Sequence, residues 1–109
     1  VLKPADEDVF AFNLSTNAWE SALVIDGSKM PGMAVEDITG VWDDPQSGDY
    51  YITILGVFNL GGVAGNDKGI VKLTPNDGAS VYTPSLVSWL AAGATLPTGF
   101  KIDGIEIAR

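Results

Sequence analysis

The chain contains no cysteine and no histidine, and only six of its 109 residues are basic. Without cysteine there are no disulfides, thiol nucleophiles or thiolate metal sites, and the redox compartment stays open, because a chain lacking thiols suits any of them. Without histidine there is no Ser-His-Asp triad and no imidazole-bound zinc, copper or iron. Any chemistry must draw on carboxylates, hydroxyls, amides or lysine. Fourteen acidic residues against the six basic ones give a net charge of −8. A surface of that sign repels phosphate backbones and anionic lipid, so nucleic acid is excluded as an expected partner. Long apolar runs are also missing, so no membrane insertion is expected.

What is present describes a folded β chain. A hydrophobic content of 46 % against 18 % charged residues is too apolar for a disordered segment, and the length corresponds to one domain, residues 1–109. Val9 to Leu14 alternates Phe10, Phe12 and Leu14 against Val9, Ala11 and Asn13, a period of two, and Ser15-Thr16-Asn17 turns it. Ala22 to Ile25, Ile38 to Trp42, Tyr50 to Leu55, Ile70 to Thr74, Leu86 to Leu90 and Ile102 to Ala108 read as further strands. Asp43 to Asp49 and Pro75-Asn76-Asp77-Gly78 carry turn chemistry, and Gly56 to Gly69 reads as a Gly-rich loop. Pro84 to Ala92 also has a helical spacing in Leu86, Trp89 and Leu90, but its repeat counterpart ends in a β-branched run, which favours strand.

The two ends of the chain read alike. Val9-Phe10-Ala11-Phe12 leads through Asp26-Gly27 and Met30-Pro31 to Val35-Glu36-Asp37-Ile38, and Ile70-Val71-Lys72-Leu73 leads through Ala92-Gly93 and Leu96-Pro97 to Ile102-Asp103-Gly104-Ile105. The offset is 61 positions from Val9 to Ile70, 66 from Asp26 to Ala92 and 67 from Val35 to Ile102, the small drift of a structural repeat with loops of unequal length. The repeat covers residues 8–40 and 69–108.

The segment from Glu36-Asp37-Ile38-Thr39-Gly40-Val41-Trp42 through Asp43-Asp44-Pro45-Gln46-Ser47-Gly48-Asp49 to Tyr50-Tyr51-Ile52-Thr53 resembles the first two strands of a blade in NHL-type and gluconolactonase-like β-propellers. Gly69 to Gly78 is similar to the third strand and its turn, and Leu96-Pro97-Thr98-Gly99-Phe100 with Ile102-Asp103-Gly104-Ile105 resembles the entry to a next blade. The resemblance implies an all-β, antiparallel, propeller-like sheet repeat of about two blades. A propeller needs about four to eight, so the chain would be part of a larger or oligomeric assembly. The alternative is a β-sandwich of about seven or eight strands.

The candidate sites are acidic and aromatic. Asp6-Glu7-Asp8 and Asn66-Asp67 precede repeat-equivalent strands, and oxygen-rich loops suit Ca²⁺, the one cofactor the residues suggest. Polar loops before strands also arise simply as Asx turns, and neither loop has the EF-hand pattern. Glu36 and Asp103 stand at equivalent repeat positions. The gluconolactonase resemblance implies a divalent-metal ligand at Glu36, although Asp37 and Ile38 follow it where those enzymes have Gly and Pro. Trp19, Trp42 and Tyr50 offer aromatic faces on which a carbohydrate could stack, or simply packing. Gly61 to Gly65 lacks the following helix start that a phosphate cradle needs.

Three function classes follow. The first is a secreted or cell-surface β-repeat binding or structural module, extracellular or periplasmic, with calcium as an optional stabiliser. The second is a segment of a divalent-metal-dependent propeller hydrolase of lactonase or esterase type, and the third a self-assembling structural subunit. Whether the chain is an enzyme stays open, with the balance against catalysis on this chain alone. The expected partners are other copies of itself or the rest of a longer parent chain, with carbohydrate as a further ligand class.

Overall fold

Strand formation follows the period-two stretches. The computed structural model describes residues 5–67, 69–76 and 82–87, and within them the chain is all-β, with antiparallel sheets, two short 3-10 turns and no α-helix. The strands are β1 (Phe12–Asn13), β2 (Ala18–Trp19), β3 (Ile38–Asp43), β4 (Tyr50–Ile54), β5 (Phe58–Leu60), β6 (Val63–Gly65), β7 (Ile70–Pro75) and β8 (Tyr82–Val87). The 3-10 turns are Gly27–Lys29 and Met33–Val35. None of the described helices is long and apolar enough to cross a membrane.

The main sheet has four strands in the order β3-β4-β7-β8, each pair antiparallel. β4 is one of its two central strands, and Tyr51 to Ile54 are buried whichever face they point to. Such a strand can be β-branched and aromatic throughout, which is why Tyr50 to Ile54 carries no polar alternation beyond Thr53. Register sorts the side chains. Val41, Ile52, Val71 and Leu86 stand opposite one another across the four strands, and so do Asp43, Tyr50, Leu73 and Pro84, so these eight share a face. Trp42 and Tyr51 lie on the other face.

The core gathers on the first face. Ile52, Ile54, Val71 and Leu73 from the sheet meet Ile25, Met30 and Met33 from the stretch around the 3-10 turns and Phe58 and Leu60 from β5, with Val9 and Val24 packed against the cluster. The stretch ahead of the sheet therefore serves as its lid. Asp44 N–H donates to the Asp49 carbonyl at 2.8 Å and Gly48 N–H to the Asp44 carbonyl at 2.8 Å, closing the β3–β4 turn.

Several elements depart from the sequence reading, beginning with the strand expected over Val9 to Leu14, of which only Phe12–Asn13 forms. Within Gly56 to Gly69, Phe58–Leu60 and Val63–Gly65 pair as an antiparallel hairpin. Gly61 and Gly62, at φ +65° and +105°, make the two-residue turn that only glycine enters without strain, and the buried Phe58 and Leu60 anchor it to the core. The strand expected at Ala22 to Ile25 is reduced to a single antiparallel bridge, Ile25 with Val9. The strand expected from Leu86 starts four residues earlier, at Tyr82, as β8; Trp89, Leu90 and the strand expected from Ile102 lie outside the described residues.

Candidate functional site

The acidic segment at residues 6–8 is tied into the structure by its own oxygens. Asp8 accepts from Gly27 N–H through Oδ1 at 2.9 Å and from Ala5 N–H through Oδ2 at 2.8 Å, and the Asp6 carbonyl accepts from Ile38 N–H at 2.9 Å. The segment thus docks on the Asp26-Gly27 turn and on the first residue of β3. Glu7 is buried between them.

Docking brings carboxyl groups together. The Asp6 and Asp37 side chains are hydrogen-bonded to each other, which two carboxyls manage by sharing a proton. The hydrogen bond to Asp6, then the Asp6 charge and partial burial, raise the Asp37 pKa above the ordinary 3.8. The same hydrogen bond, helped by one with Glu7, lowers Asp6 below it. For Glu7 a backbone hydrogen bond pulls downward, but burial and the Asp6 and Asp8 charges prevail and leave its pKa raised.

These directions define a pH response. The raised Asp37 contributes stability at low pH that is lost as pH rises through its folded value, and the lowered Asp6 contributes stability at higher pH that is lost as pH falls through its folded value. The pair therefore stabilises most in the interval between the two, which straddles the ordinary 3.8. Asp37→Asn keeps an N–H donor for Asp6 at every pH. In thermal melts at about pH 4 and pH 7, the variant should lose less stability on going to neutral pH than the wild type does. Parallel responses of the two proteins would show that the proton is not shared.

Glu36 points elsewhere. It is 8 % exposed, its Oε2 has no hydrogen-bond partner, and burial followed by the Asp37 charge raises its pKa. It lines a cleft of about 400 Å³ between the second 3-10 turn and the β5–β6 hairpin, with Gly32, Val35, Val57, Phe58, Asn59 and Ala64. The Asn66 carbonyl accepts from Gly69 N–H at 2.9 Å in the bend before β7, with Asp67 half-buried beside it. Asp103 lies outside the described residues. Among the described residues, no three Asp or Glu side chains are grouped as a metal ion would need.

The aromatic candidates are also separated. Trp42 packs against Tyr51 at 5.9 Å on one face of the sheet, and Tyr50 meets Tyr82 edge-on at 5.5 Å on the other. Across a hairpin the register, not the sequence separation, decides which positions share a face, and here Trp42 opposes Tyr51 while Tyr50 opposes Asp43. Burial, then the neighbouring Tyr82 and Asp43, raises the Tyr50 pKa. Trp19 belongs to a third group. Its ring lies 4.9 Å from Phe10 and 5.0 Å from Phe12, centroid to centroid. The sequence showed Phe10 and Phe12 on one strand face; that Trp19 joins them depends on the Phe12–Trp19 pairing across the β1–β2 turn.

No family model, no curated protein and no solved structure matches this chain.

Proposed function

We propose that this chain is a secreted or cell-surface β-repeat module with a structural or binding role, completed by further copies of itself or by further repeats of a parent chain. The observation that carries the reading is an asymmetry between two hairpins. β7 and β8 sit inside a four-stranded antiparallel sheet, whereas β1 and β2, at the corresponding point of the repeat, form a sheet of two strands among the described residues. A two-stranded ribbon is marginal by itself and gains from added strands or a covering layer. The meander order β3-β4-β7-β8 suits a blade-like unit of the kind the propeller resemblance implies.

Light scattering on the purified chain tests the reading. A mass well above 11.4 kDa at micromolar concentration is the expected result. A stable monomer at all concentrations would reject completion by copies. Completion by a parent chain would then have to show itself as a rise in melting temperature when adjoining repeats are supplied in trans, and an unchanged melt would reject that as well. Calcium is the one cofactor carried in this reading, at the Asp6-Glu7-Asp8 or the Asn66-Asp67 loop, where oxygen-rich side chains precede strands. A melt in millimolar calcium against chelator reads this directly, because a ligand bound only by the folded state raises the melting temperature. An unchanged melt removes calcium.

A further inference from the structure

Among the described residues, one buried carboxyl oxygen lacks a hydrogen-bond partner. Glu36 follows the second 3-10 turn, where its N–H donates to the Met33 carbonyl at 2.9 Å and its backbone is already extended toward β3. The residue is thereby held with its side chain packed in: it is 8 % exposed, and Oε2 is closed to solvent and unpartnered. The cations among the described residues are Lys29 and Lys72, and both are paired elsewhere, with Asp26 at 3.7 Å and with Asp49 at 3.4 Å. A buried acceptor without a donor costs stability, so a site that keeps one calls for a donor from outside.

The cleft that Glu36 lines has no other charged residue in its walls. Val35 and Val57 on its two sides are 86 % and 83 % exposed, Phe58 is buried, and Asn59 spends its Oδ1 on the Gly62 N–H at 2.7 Å within its own hairpin. A side chain on Gly32 would strike the Asn59 carbonyl, so the 3-10 turn and the hairpin already touch and the cleft is formed before any ligand arrives. Its volume of about 400 Å³ suits a small organic molecule. A divalent ion would need several further oxygens, and among the described residues no three acidic side chains gather. A primary ammonium group asks for less, since it is a compact cation with three donors, and an aliphatic chain behind it suits walls of valine and phenylalanine. We propose that this cleft binds a small aliphatic primary amine, with Glu36 accepting from the ammonium group and Val35, Val57 and Phe58 covering the chain. The last torsion of a glutamate is soft, so the carboxyl turns Oε2 toward an ammonium placed in the cleft. The net charge of −8 draws cations to the molecule, and the site lies within one copy, so it is independent of assembly.

The test is a titration of the whole chain with hexylamine at neutral pH, where the amine is a cation, read by amide chemical shifts. The expected result is saturable, millimolar binding that moves the Val57, Phe58 and Ala64 amides, with hexanol and hexyltrimethylammonium, which lack the ammonium donors, binding far more weakly. Glu36→Gln should weaken hexylamine by at least about tenfold, the loss of a charge-assisted hydrogen bond. Val57→Ser, at an exposed position that leaves folding intact, should weaken it several-fold and serves where the first variant does not fold. Equal binding of hexanol, or unchanged hexylamine affinity in both variants, overturns the proposal. Calcium that moves the same amides and displaces the amine would give Glu36 to a metal, and a lysyl peptide that binds where hexylamine does not would give the cleft to a protein partner; each result overturns the small-amine reading.

Discussion

Truncating Ile52 to alanine should cost about 2–5 kcal/mol of unfolding free energy, the range for deleting a large aliphatic side chain from a packed core. Ile52 is fully buried on a central strand, stands between Val41 and Val71 in register, and belongs to the cluster that joins the sheet to Ile25, Met30, Met33, Phe58 and Leu60. It thus touches both the sheet and the layer that covers it, and the cavity left behind cannot be closed by one of them moving alone. For a domain of this size the melting temperature should fall by on the order of 10–20 °C. Val57→Ala is the matched control: Val57 is exposed, and its loss should change stability by less than about 0.5 kcal/mol. Urea unfolding of the two variants beside the wild type decides the matter. Equal midpoints would mean that the covering layer does not pack on the sheet.

Gly27→Ala should be nearly as damaging, at about 2–4 kcal/mol, although it adds only one methyl group. A Cβ at this position would overlap the Glu7 carbonyl and stand 2.6 Å from its Cγ and 2.8 Å from its Cβ. The first of these neighbours is backbone, so it cannot swing aside as a side chain would. Relief requires residues 6–8 to lift away from the turn, which breaks the Gly27 N–H to Asp8 bond and the Ile38 N–H to Asp6 bond together. The variant should therefore show a lowered melting temperature, faster hydrogen exchange at the Ile38 amide, and loss of the pH response that Asp6 and Asp37 create. Protection at Ile38 equal to that of the wild type would show that the acidic segment is not held by this turn.

Three of the four strands of the main sheet were legible because their pattern is local. Ile38 to Trp42, Tyr50 to Leu55 and Ile70 to Thr74 announce themselves through β-branched and aromatic residues bounded by Asp, Pro and Gly, and the structure places β3, β4 and β7 there with at most a residue of difference at most ends. The turn between β3 and β4 was equally plain, since Pro45 and Gly48 have uses that depend on backbone geometry alone. The β5–β6 hairpin was hidden because its four glycines between Gly56 and Gly65 outweighed two short apolar stretches, and the burial of Phe58 and Leu60 that stabilises it comes from residues far away in sequence.

The candidate sites divide in the same way. Sequence by itself determined the chemistry available: carboxylates, hydroxyls and aromatics, no thiol, no imidazole, and a net negative charge. It also determined that the chain is β and antiparallel, because side-chain alternation and turn residues act within a few positions of one another. Only the tertiary structure decided which groups meet. Asp6 finds Asp37 because the first segment docks on β3, Glu36 turns away into the cleft beside β5, and Trp42 and Tyr50 part company because strand pairing sends them to opposite faces. That Phe10 and Phe12 face outward while Val71 and Leu73 face inward was likewise beyond the pattern, since both hairpins alternate alike; which side is covered depends on what packs against it, and packing joins residues that sequence keeps apart.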